Sequence, residues 1–276
     1  MQGSEDGGGG VEISWTASAA PFGPGAFRAI ADDGFAIWQR FLTAPALAFL
    51  RREVDVVLCA KHPSVDSEWI QNIHQHPEGA WMWRLASCPG LVQAAQCACG
   101  GESVILYGSQ IAVRMPRASG AVGVAARRLD TTPWHQDGPG TRVATFWITL
   151  DHADQHTGAL EVLRGGHLMG RRAMRRLEHP DELPLAKKMA SHNVFEIDKI
   201  DAKTVRREAF AYRLRAGGAG VHHSSLPHRA GPNLSSKPRR VIILRYMHAD
   251  ELSSNDQGRL RHWQTNDWFA REYRRI

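Results

Sequence analysis

Apolar residues follow a helical spacing in two stretches of the first hundred residues. Over residues 45–58 they recur at steps of three and four, which predicts an amphipathic helix. A second helix is predicted over residues 90–99, because Gly100 and Gly101 follow it directly and are typical of a helix C-terminus. Both predicted helices therefore lie ahead of residue 100.

Beyond residue 100 the pattern changes to short stretches that are rich in β-branched and aromatic residues and are separated by Gly, Pro and Asp. Such stretches are typical of strands. We predict strands over residues 104–114, 142–150, 159–163, 210–214 and 241–248. Helices followed by many short strands indicate an α+β protein, mainly β with flanking helices, whose strands form a sandwich or barrel.

The chain is long enough and apolar enough to bury a core. It has 276 residues, of which 43% are hydrophobic and 22% charged, as in folded globular proteins. Four glycines occupy positions 7–10, so we expect a flexible segment over residues 1–25 and a single domain over residues 26–276. No apolar run reaches a membrane-spanning length, and no basic stretch precedes an apolar one at the N-terminus. We therefore expect a cytoplasmic protein without a membrane partner.

The chain is basic, with a formal net charge of +6, which attracts anions in general. The basic residues are dispersed except for one group whose spacing predicts one face of a helix. That group is Arg171, Arg172, Arg175 and Arg176. A solvated helix face is favoured over a nucleic-acid site, because no aromatic residues are interleaved with these arginines. We expect a small-molecule substrate and no nucleic-acid partner.

Fourteen histidines raise the question of a metal site, and four of them begin a His-x-Asp tripeptide. Among so many histidines the tripeptide alone identifies nothing. On a strand, however, residues i and i+2 point to the same face, so an imidazole and a carboxylate can reach one metal ion. The four pairs are His135 and Asp137, His152 and Asp154, His179 and Asp181, and His248 and Asp250.

The surroundings of the four pairs distinguish them. Pro180 inside one pair and Gly158 soon after another indicate turns, and the pair at 248 and 250 lies at the end of a predicted strand. His135 and Asp137 lie between Trp134 and a Gly-Pro-Gly turn, which places them at the mouth of a strand, where functional residues concentrate. This pair is therefore the candidate for metal binding.

A third ligand is expected from His222, His223 or His228. Ions such as Fe(II) are commonly held by two imidazoles and one carboxylate, with the remaining positions open. His222 and His223 are adjacent, so at most one of them can face the metal from a strand. His228 is followed eleven residues later by Arg239, at the start of a strand, from which the guanidinium group can reach a carboxylate in the barrel.

Further segments extend this pattern along the chain. They are Asp-Gly-Phe-Ala-Ile at 33–37, Trp-His-Gln-Asp-Gly at 134–138, Phe-Trp-Ile-Thr-Leu-Asp at 146–151, Gly-Ala-Leu at 158–160 and Arg-Tyr at 245–246. Together with the motif from His228 to Arg239, they resemble the phytanoyl-CoA dioxygenase family over roughly residues 27–250. The eleven-residue spacing of that motif is the most specific part of the resemblance.

The resemblance implies a double-stranded β-helix core of the jelly-roll or cupin-like type. It also implies an Fe(II)- and 2-oxoglutarate-dependent oxygenase that uses O2 to hydroxylate or desaturate a small molecule, with release of succinate and CO2. By resemblance, His135, Asp137 and His228 hold the iron. Arg239 pairs with the distal carboxylate of 2-oxoglutarate, and Trp147 lines the cosubstrate pocket.

Two of the departures from the family pattern concern the binding of the cosubstrate. The family often has a serine where this chain has Ala230, two residues after the last metal histidine, and a lysine where it has Arg114. Gln110 and Arg114 lie on one face of the strand predicted over 104–114, so both are candidates for the cosubstrate pocket. The departures also leave open a non-catalytic alternative, a cupin-like protein that binds a metal or an anion without turnover.

Two other groups leave alternatives open. His74 and His76, together with Glu78, suggest a second metal site, although a polar loop is the favoured interpretation. Trp81 and Trp83 belong either to the core or to a lid over the substrate.

Overall fold

The helices of the protein, seen in a computed structural model, lie mainly ahead of the strands. The structure describes residues 13–17, 24–61, 67–71, 73–75, 79–117, 131–137, 140–176 and 195–252. Within these ranges the helices are α1 (Pro24–Asp33), α2 (Ala44–Lys61), α3 (Ala80–Ala86), α4 (Pro89–Cys99) and α5 (Ala202–Glu208). None of these helices is long and apolar enough to cross a membrane.

The two predicted helices are confirmed as α2 and α4. α2 buries Leu50 and Val54 completely, as the apolar spacing requires. α4 ends at Gly100, whose φ of 72° lies in the left-handed region that favours glycine. The intervening α3 carries Trp81, which is buried in the core, and Trp83, which packs against it. These two tryptophans therefore belong to the core and not to a lid.

The strands of the described residues form three antiparallel sheets. The strands are β1 (Phe35–Trp38), β2 (Ser67–Gln71), β3 (Val104–Arg114), β4 (Thr132–His135), β5 (Val143–Thr149), β6 (Leu160–Leu163), β7 (Met174–Arg176), β8 (Phe195–Ile197), β9 (Ala209–Ala211), β10 (Ala219–His223), β11 (His228–Ala230) and β12 (Arg239–His248). The largest sheet has the order β1-β10-β5-β12-β3-β2 and the second has the order β4-β11-β6-β9, while β7 pairs with β8.

The predicted strands agree with the observed ones, with one partial exception. β3 has the predicted bounds, and β5, β6 and β12 differ from the predictions by one or two residues at an end. The stretch predicted over 210–214 pairs as β9 only to Ala211, and further along Leu214 forms an isolated bridge with Ala153. The expected class, mainly β with flanking helices, is confirmed.

The six-stranded sheet separates two parts of the core, because successive residues of a strand point to opposite faces. On β12, Leu244 packs with the residues of the helices, whereas Val241 and Ile243 pack between the two larger sheets. The same alternation turns Arg239 and Arg245 towards the space between these sheets, where both line a cavity. This space is the barrel interior.

Residues 13–17 pack on the core, although they lie within the segment expected to be flexible, residues 1–25. Trp15 is 9% exposed, and its carbonyl oxygen accepts a hydrogen bond of 3.1 Å from the Thr43 amide. The Ala17 amide donates to the Phe41 carbonyl oxygen at 2.9 Å. A large buried side chain and backbone hydrogen bonds thus connect these residues to the core.

The arginine-rich segment is not a helix, so that prediction is wrong. Arg171 and Arg172 precede β7 without helical structure, and the following arginines belong to that strand. Arg171 Nη2 donates to the Asp137 carbonyl oxygen at 2.8 Å, and the Arg172 amide donates to Gln136 Oε1 at 2.9 Å. These hydrogen bonds to a distant loop outweigh a spacing that by itself carries only a weak helix preference.

Candidate active site

Two histidines face each other across neighbouring strands of the four-stranded sheet. His135 of β4 and His228 of β11 are register partners, and their ring centroids lie 4.0 Å apart. Asp137 follows His135 by two residues, so its carboxylate returns to the same side. One potential ligand atom from each of the three residues lies within 4.8 Å of the others. The structure thus brings together the three predicted metal ligands.

A backbone carbonyl oxygen accepts a hydrogen bond from one ring nitrogen of each histidine. His135 Nδ1 lies 2.8 Å from the Pro133 carbonyl oxygen, and His228 Nδ1 lies 2.9 Å from that of Leu226. Because a carbonyl oxygen only accepts, Nδ1 carries the hydrogen in both rings and Nε2 keeps its lone pair. Burial lowers the pKa of His135 to about 3 and that of His228 to about 4. Both rings are therefore neutral at neutral pH, which is the form that binds a metal.

Asp137 is a buried carboxylate with donors on both oxygens. Its Oδ2 accepts a hydrogen bond of 2.7 Å from Thr145 Oγ1 and lies 3.2 Å from His222 Nε2. Its Oδ1 lies 3.3 Å from Arg245 Nη2 and 3.8 Å from His228 Nε2. Burial by itself raises the pKa of Asp137, but the Arg245 charge and then the neighbouring histidines bring that pKa well below its usual value. The carboxylate is therefore ionised, and Oδ1 is the oxygen nearer to His228 Nε2.

Of the adjacent pair His222 and His223, only His222 contacts this cluster. His222 is 1% exposed and lines the cavity, whereas the ring of His223 lies 5.5 Å from that of His167. Strand alternation was the signal that separated the two residues. Sequence reasoning considered His222 only as a metal ligand, and it missed the contact with Asp137.

Two arginines lie further along the barrel interior, on neighbouring strands. Arg239 of β12 and Arg114 of β3 are register partners, and both are buried. Arg239 Nε donates to the Thr157 carbonyl oxygen at 3.1 Å, and its guanidinium carbon lies 5.1 Å from the centre of the Trp147 ring. Arg239 Nη1 is buried and has no hydrogen-bond partner within the part of the chain that the structure describes. Arg114 Nη2 donates to Thr132 Oγ1 at 2.9 Å.

The electrostatics of this arginine pair favour an anion. Burial and then the charge of Arg114 lower the pKa of Arg239 to about 9, so the guanidinium group is still charged at neutral pH. A buried charge with an unused N–H group is costly unless an acceptor meets it. A carboxylate matches the planar fork of a guanidinium group and supplies that acceptor. The residues therefore fit a bound carboxylate at Arg239.

One cavity connects the metal-ligand cluster with the arginine pair. It contains about 520 Å³ of empty space, part of it open to solvent, with Trp147, Leu160 and Ile243 among its apolar walls. Its polar and charged lining comes from Arg114, Thr132, His135, Asp137, Thr145, His222, His228, Arg229, Arg239 and Arg245. Gln110 is not part of this lining. Its Oε1 accepts a hydrogen bond of 2.8 Å from Arg245 Nη1, so it reaches the site through that arginine.

Two of the other His-x-Asp pairs lie among the described residues, and neither lines this cavity. His152 Nε2 and Asp154 Oδ2 are 3.0 Å apart in an exposed turn, as expected. His248 Nδ1 and Asp250 Oδ2 are 3.4 Å apart at the end of β12. The pair at 179 and 181 lies outside the described residues.

The suggested second metal site is not supported at its one described member. His74 lies in a 3₁₀ turn (Ile73–Gln75) and is buried, with Nδ1 2.6 Å from Ser109 Oγ. It is therefore a core histidine with a hydrogen-bonded hydroxyl, and the favoured polar loop is wrong for this residue. His76 and Glu78 lie outside the described residues.

Comparison with known proteins adds a family match. The sequence model of a family described as phytanoyl-CoA dioxygenase (PhyH) matches residues 30–241. A comparison with curated proteins finds no match.

Solved structures with the same fold come from several sources. EvdO2 from Micromonospora carbonacea var. aurantiaca, complexed with 2-oxoglutarate, is 23% identical, with a TM-score of 0.61 over 82% of this chain and 91% of that one. The carbocyclase SnoK from nogalamycin biosynthesis is 21% identical, with a TM-score of 0.61 over 85% and 87%. EctD from S. alaskensis, with 2-oxoglutarate and 5-hydroxyectoine, is 19% identical, with a TM-score of 0.62 over 87% and 80%. These matches confirm the expected double-stranded β-helix fold.

Proposed function

The chain belongs to the phytanoyl-CoA dioxygenase family, and on that premise we propose that it is an Fe(II)- and 2-oxoglutarate-dependent oxygenase of a small-molecule substrate. One observation carries the proposal. The His135–Asp137–His228 cluster and the unpartnered guanidinium group of Arg239 line the same cavity. A metal site and a carboxylate site are thus adjacent, as a chelating dicarboxylate cosubstrate requires.

The donor set fits iron. Two neutral imidazoles with free Nε2 atoms and one ionised carboxylate would hold Fe(II) and leave coordination positions open. When bound, iron and 2-oxoglutarate supply the oxidising chemistry, in which O2 and the cosubstrate give succinate and CO2 while the substrate is oxidised. The chain's own contribution is to orient these groups and to keep water away from them.

The arginine end of the cavity would hold the cosubstrate. Arg239 would bind the distal carboxylate of 2-oxoglutarate through its free N–H group, and the Trp147 ring beside it would pack on the carbon chain. Arg114 adds a second positive charge to the same end of the cavity. Leu160 and Ile243 supply the apolar walls between the two ends.

We propose hydroxylation or desaturation of the substrate and not halogenation. A halogenating site needs an open position for chloride where this chain supplies the Asp137 carboxylate. A chloride-dependent chlorinated product would contradict this assignment.

The test is succinate formation. Purified protein is incubated aerobically with Fe(II) and 2-oxoglutarate, beside an Asp137→Ala variant and a reaction without iron. We expect iron-dependent succinate from the wild type only, and its amount should rise when a metabolite extract that contains the substrate is added. Gain of one oxygen mass, or loss of two hydrogens, in a component of the extract then identifies the substrate.

The same experiment tests the non-catalytic alternative. That alternative rested on Ala230 and Arg114, which depart from the family pattern. If the wild type binds metal and 2-oxoglutarate but forms no more succinate than Asp137→Ala, with or without extract, the protein is a binding protein and the proposed activity is wrong.

A further inference from the structure

Three side chains form one row across neighbouring strands of the six-stranded sheet, and each contacts the same carboxylate. In this row His222 of β10 pairs with Thr145 of β5, which in turn pairs with Arg245 of β12. The three side chains contact Asp137 at 3.2, 2.7 and 3.3 Å, respectively. Asp137 follows β4 of the other sheet, so these contacts join the two sheets at the metal-ligand cluster.

Arg245 is the charged member of this row, and a fourth residue holds it. Its Nη2 contacts Asp137 Oδ1, while its Nη1 donates to Gln110 Oε1 at 2.8 Å. Gln110 is 4% exposed, so this hydrogen bond is shielded from water. The residue opposite Arg245 on β3 is Gly108, which has no side chain to compete with the guanidinium group. Both ends of that group are therefore fixed.

We propose that Arg245, held by Gln110, is a positioning residue that keeps the Asp137 carboxylate oriented for the metal. The inference rests on the proposed function, because it takes Asp137 as a metal ligand. The other two donors bind Oδ2, which leaves Oδ1 as the oxygen nearer to His228 Nε2. Arg245 supplies the positive charge that a buried carboxylate needs before a metal binds. Outer partners of this kind orient metal ligands and strengthen metal binding.

Another arginine of the same strand, five residues before Arg245, provides a matched control. Arg240 lies 2.8 and 3.0 Å from the two carboxylate oxygens of Asp151 and 2.7 Å from Asp55 Oδ1. It points to the opposite face of β12 and does not line the cavity. Loss of this arginine also removes a partner of a carboxylate, but away from the metal ligands. Arg240→Met therefore reports the general effect of breaking an arginine–carboxylate pair on this strand.

The experiment measures metal binding and does not depend on activity. Metal-free wild type, Arg245→Met and Arg240→Met are titrated with Co(II), whose visible absorption reports the geometry of its ligands. We expect Arg245→Met to bind Co(II) about 10- to 100-fold more weakly, the usual effect of losing an outer partner of a metal ligand, and to change the spectrum. Arg240→Met should keep the affinity and spectrum of the wild type, and Arg245→Lys should recover part of the lost affinity.

Unchanged or tighter Co(II) binding by Arg245→Met would overturn the inference, and so would an equal loss in Arg240→Met. If Arg245→Met does not fold, the Co(II) titration of Gln110→Met tests the inference in its place. That variant leaves Arg245 and Asp137 in place but removes the acceptor, and we expect Co(II) binding to weaken by about twofold to tenfold, the loss of one hydrogen bond. Wild-type affinity in that variant would then be the contradicting result.

Failure of the proposed function gives a different outcome. In that case the wild type forms no more succinate than Asp137→Ala, a readout that is independent of the Co(II) titration. Wild-type protein that binds Co(II) through Asp137, with Arg245 and Gln110 variants that bind it equally well, contradicts only the positioning role.

Discussion

The two ends of the cavity differ in how their buried charges are compensated. At one end Asp137 receives donors from Thr145 and Arg245, with His222 within hydrogen-bond distance. At the other end Arg239 keeps a buried nitrogen without a hydrogen-bond partner among the described residues, and burial and then the charge of Arg114 lower its pKa. The protein alone thus compensates the negative charge at the metal end but leaves the positive end to be completed by a ligand.

This difference predicts how each end should respond to a ligand or to the loss of a side chain. The metal end is preorganised, because its ligand is ionised and held before anything binds. The arginine end contains two buried like charges, which cost free energy until an anion arrives. An anionic cosubstrate should therefore stabilise the protein through Arg239, whereas removal of Asp137 should disable the metal end altogether.

The largest effect is expected at the metal end. Asp137→Ala removes the only carboxylate of the three-residue cluster, so iron-dependent succinate formation should fall to the background rate. Asp154→Ala is the matched control, because Asp154 also follows a histidine by two residues but lies in an exposed turn. Full activity in Asp137→Ala, or loss of activity in Asp154→Ala, would show that the wrong pair was assigned.

The next effect is expected at the arginine end. Arg239→Ala should raise the KM for 2-oxoglutarate by about tenfold or more, since a hydrogen bond between charged groups contributes roughly 1.5–3 kcal/mol. It should also abolish the rise in Tm that 2-oxoglutarate gives the wild type. Arg240→Ala, on the outward face of the same strand, should leave this KM unchanged. A KM for Arg239→Ala equal to that of the wild type would place the cosubstrate elsewhere.

The sequence predicted the candidate metal ligands from one local pattern and one family resemblance. The two-residue step from His135 to Asp137 places both side chains on one face, and the eleven-residue step from His228 to Arg239 follows a recognisable motif. Strand alternation also limited His222 and His223 to one inward-facing residue. Local periodicity therefore predicted that His135 and Asp137 share a face, whereas the choice of His228 came from the resemblance.

What the sequence could not supply is the register between strands. The contacts of Thr145 and Arg245 with Asp137 depend on how β5 and β12 pair, which no local pattern specifies. Gln110 shows the same limit, because its strand face was predicted but its contact with Arg245 was not. The arginines near β7 show the reverse error, in which a local spacing was interpreted without the long-range hydrogen bonds that override it.

A smaller effect on the KM for 2-oxoglutarate is expected when Arg114 is replaced. Arg114→Ala should raise the KM for 2-oxoglutarate less than Arg239→Ala does, by about threefold to tenfold, in the range of one hydrogen bond. The competing role of Arg114 is to hold an acidic group of the substrate. The KM values of cosubstrate and substrate in Arg114→Ala decide between the two roles. An unchanged value for 2-oxoglutarate with a raised value for the substrate would contradict the cosubstrate role.

The smallest effect on the KM for 2-oxoglutarate is expected from the loss of a neutral hydroxyl group. Thr132 is the register partner of Ala230 and lines the same cavity, so its hydroxyl group lies opposite the position where the family often has serine. Thr132 Oγ1 accepts a hydrogen bond from Arg114 and still has its own hydrogen to donate.

We therefore predict that Thr132 replaces the hydroxyl that is missing at Ala230. Thr132→Val keeps the shape of the side chain but removes the hydroxyl, and should raise the KM for 2-oxoglutarate by about twofold to fivefold, the effect of one neutral hydrogen bond. Thr132→Ser keeps the hydroxyl and should behave like the wild type. Adding Ala230→Ser to Thr132→Val should restore much of the lost affinity, since the neighbouring strand β11 then supplies a hydroxyl group. If Thr132→Val and Thr132→Ser give the same KM, the hydroxyl has no role in cosubstrate binding, and the arginine end works through its charges alone.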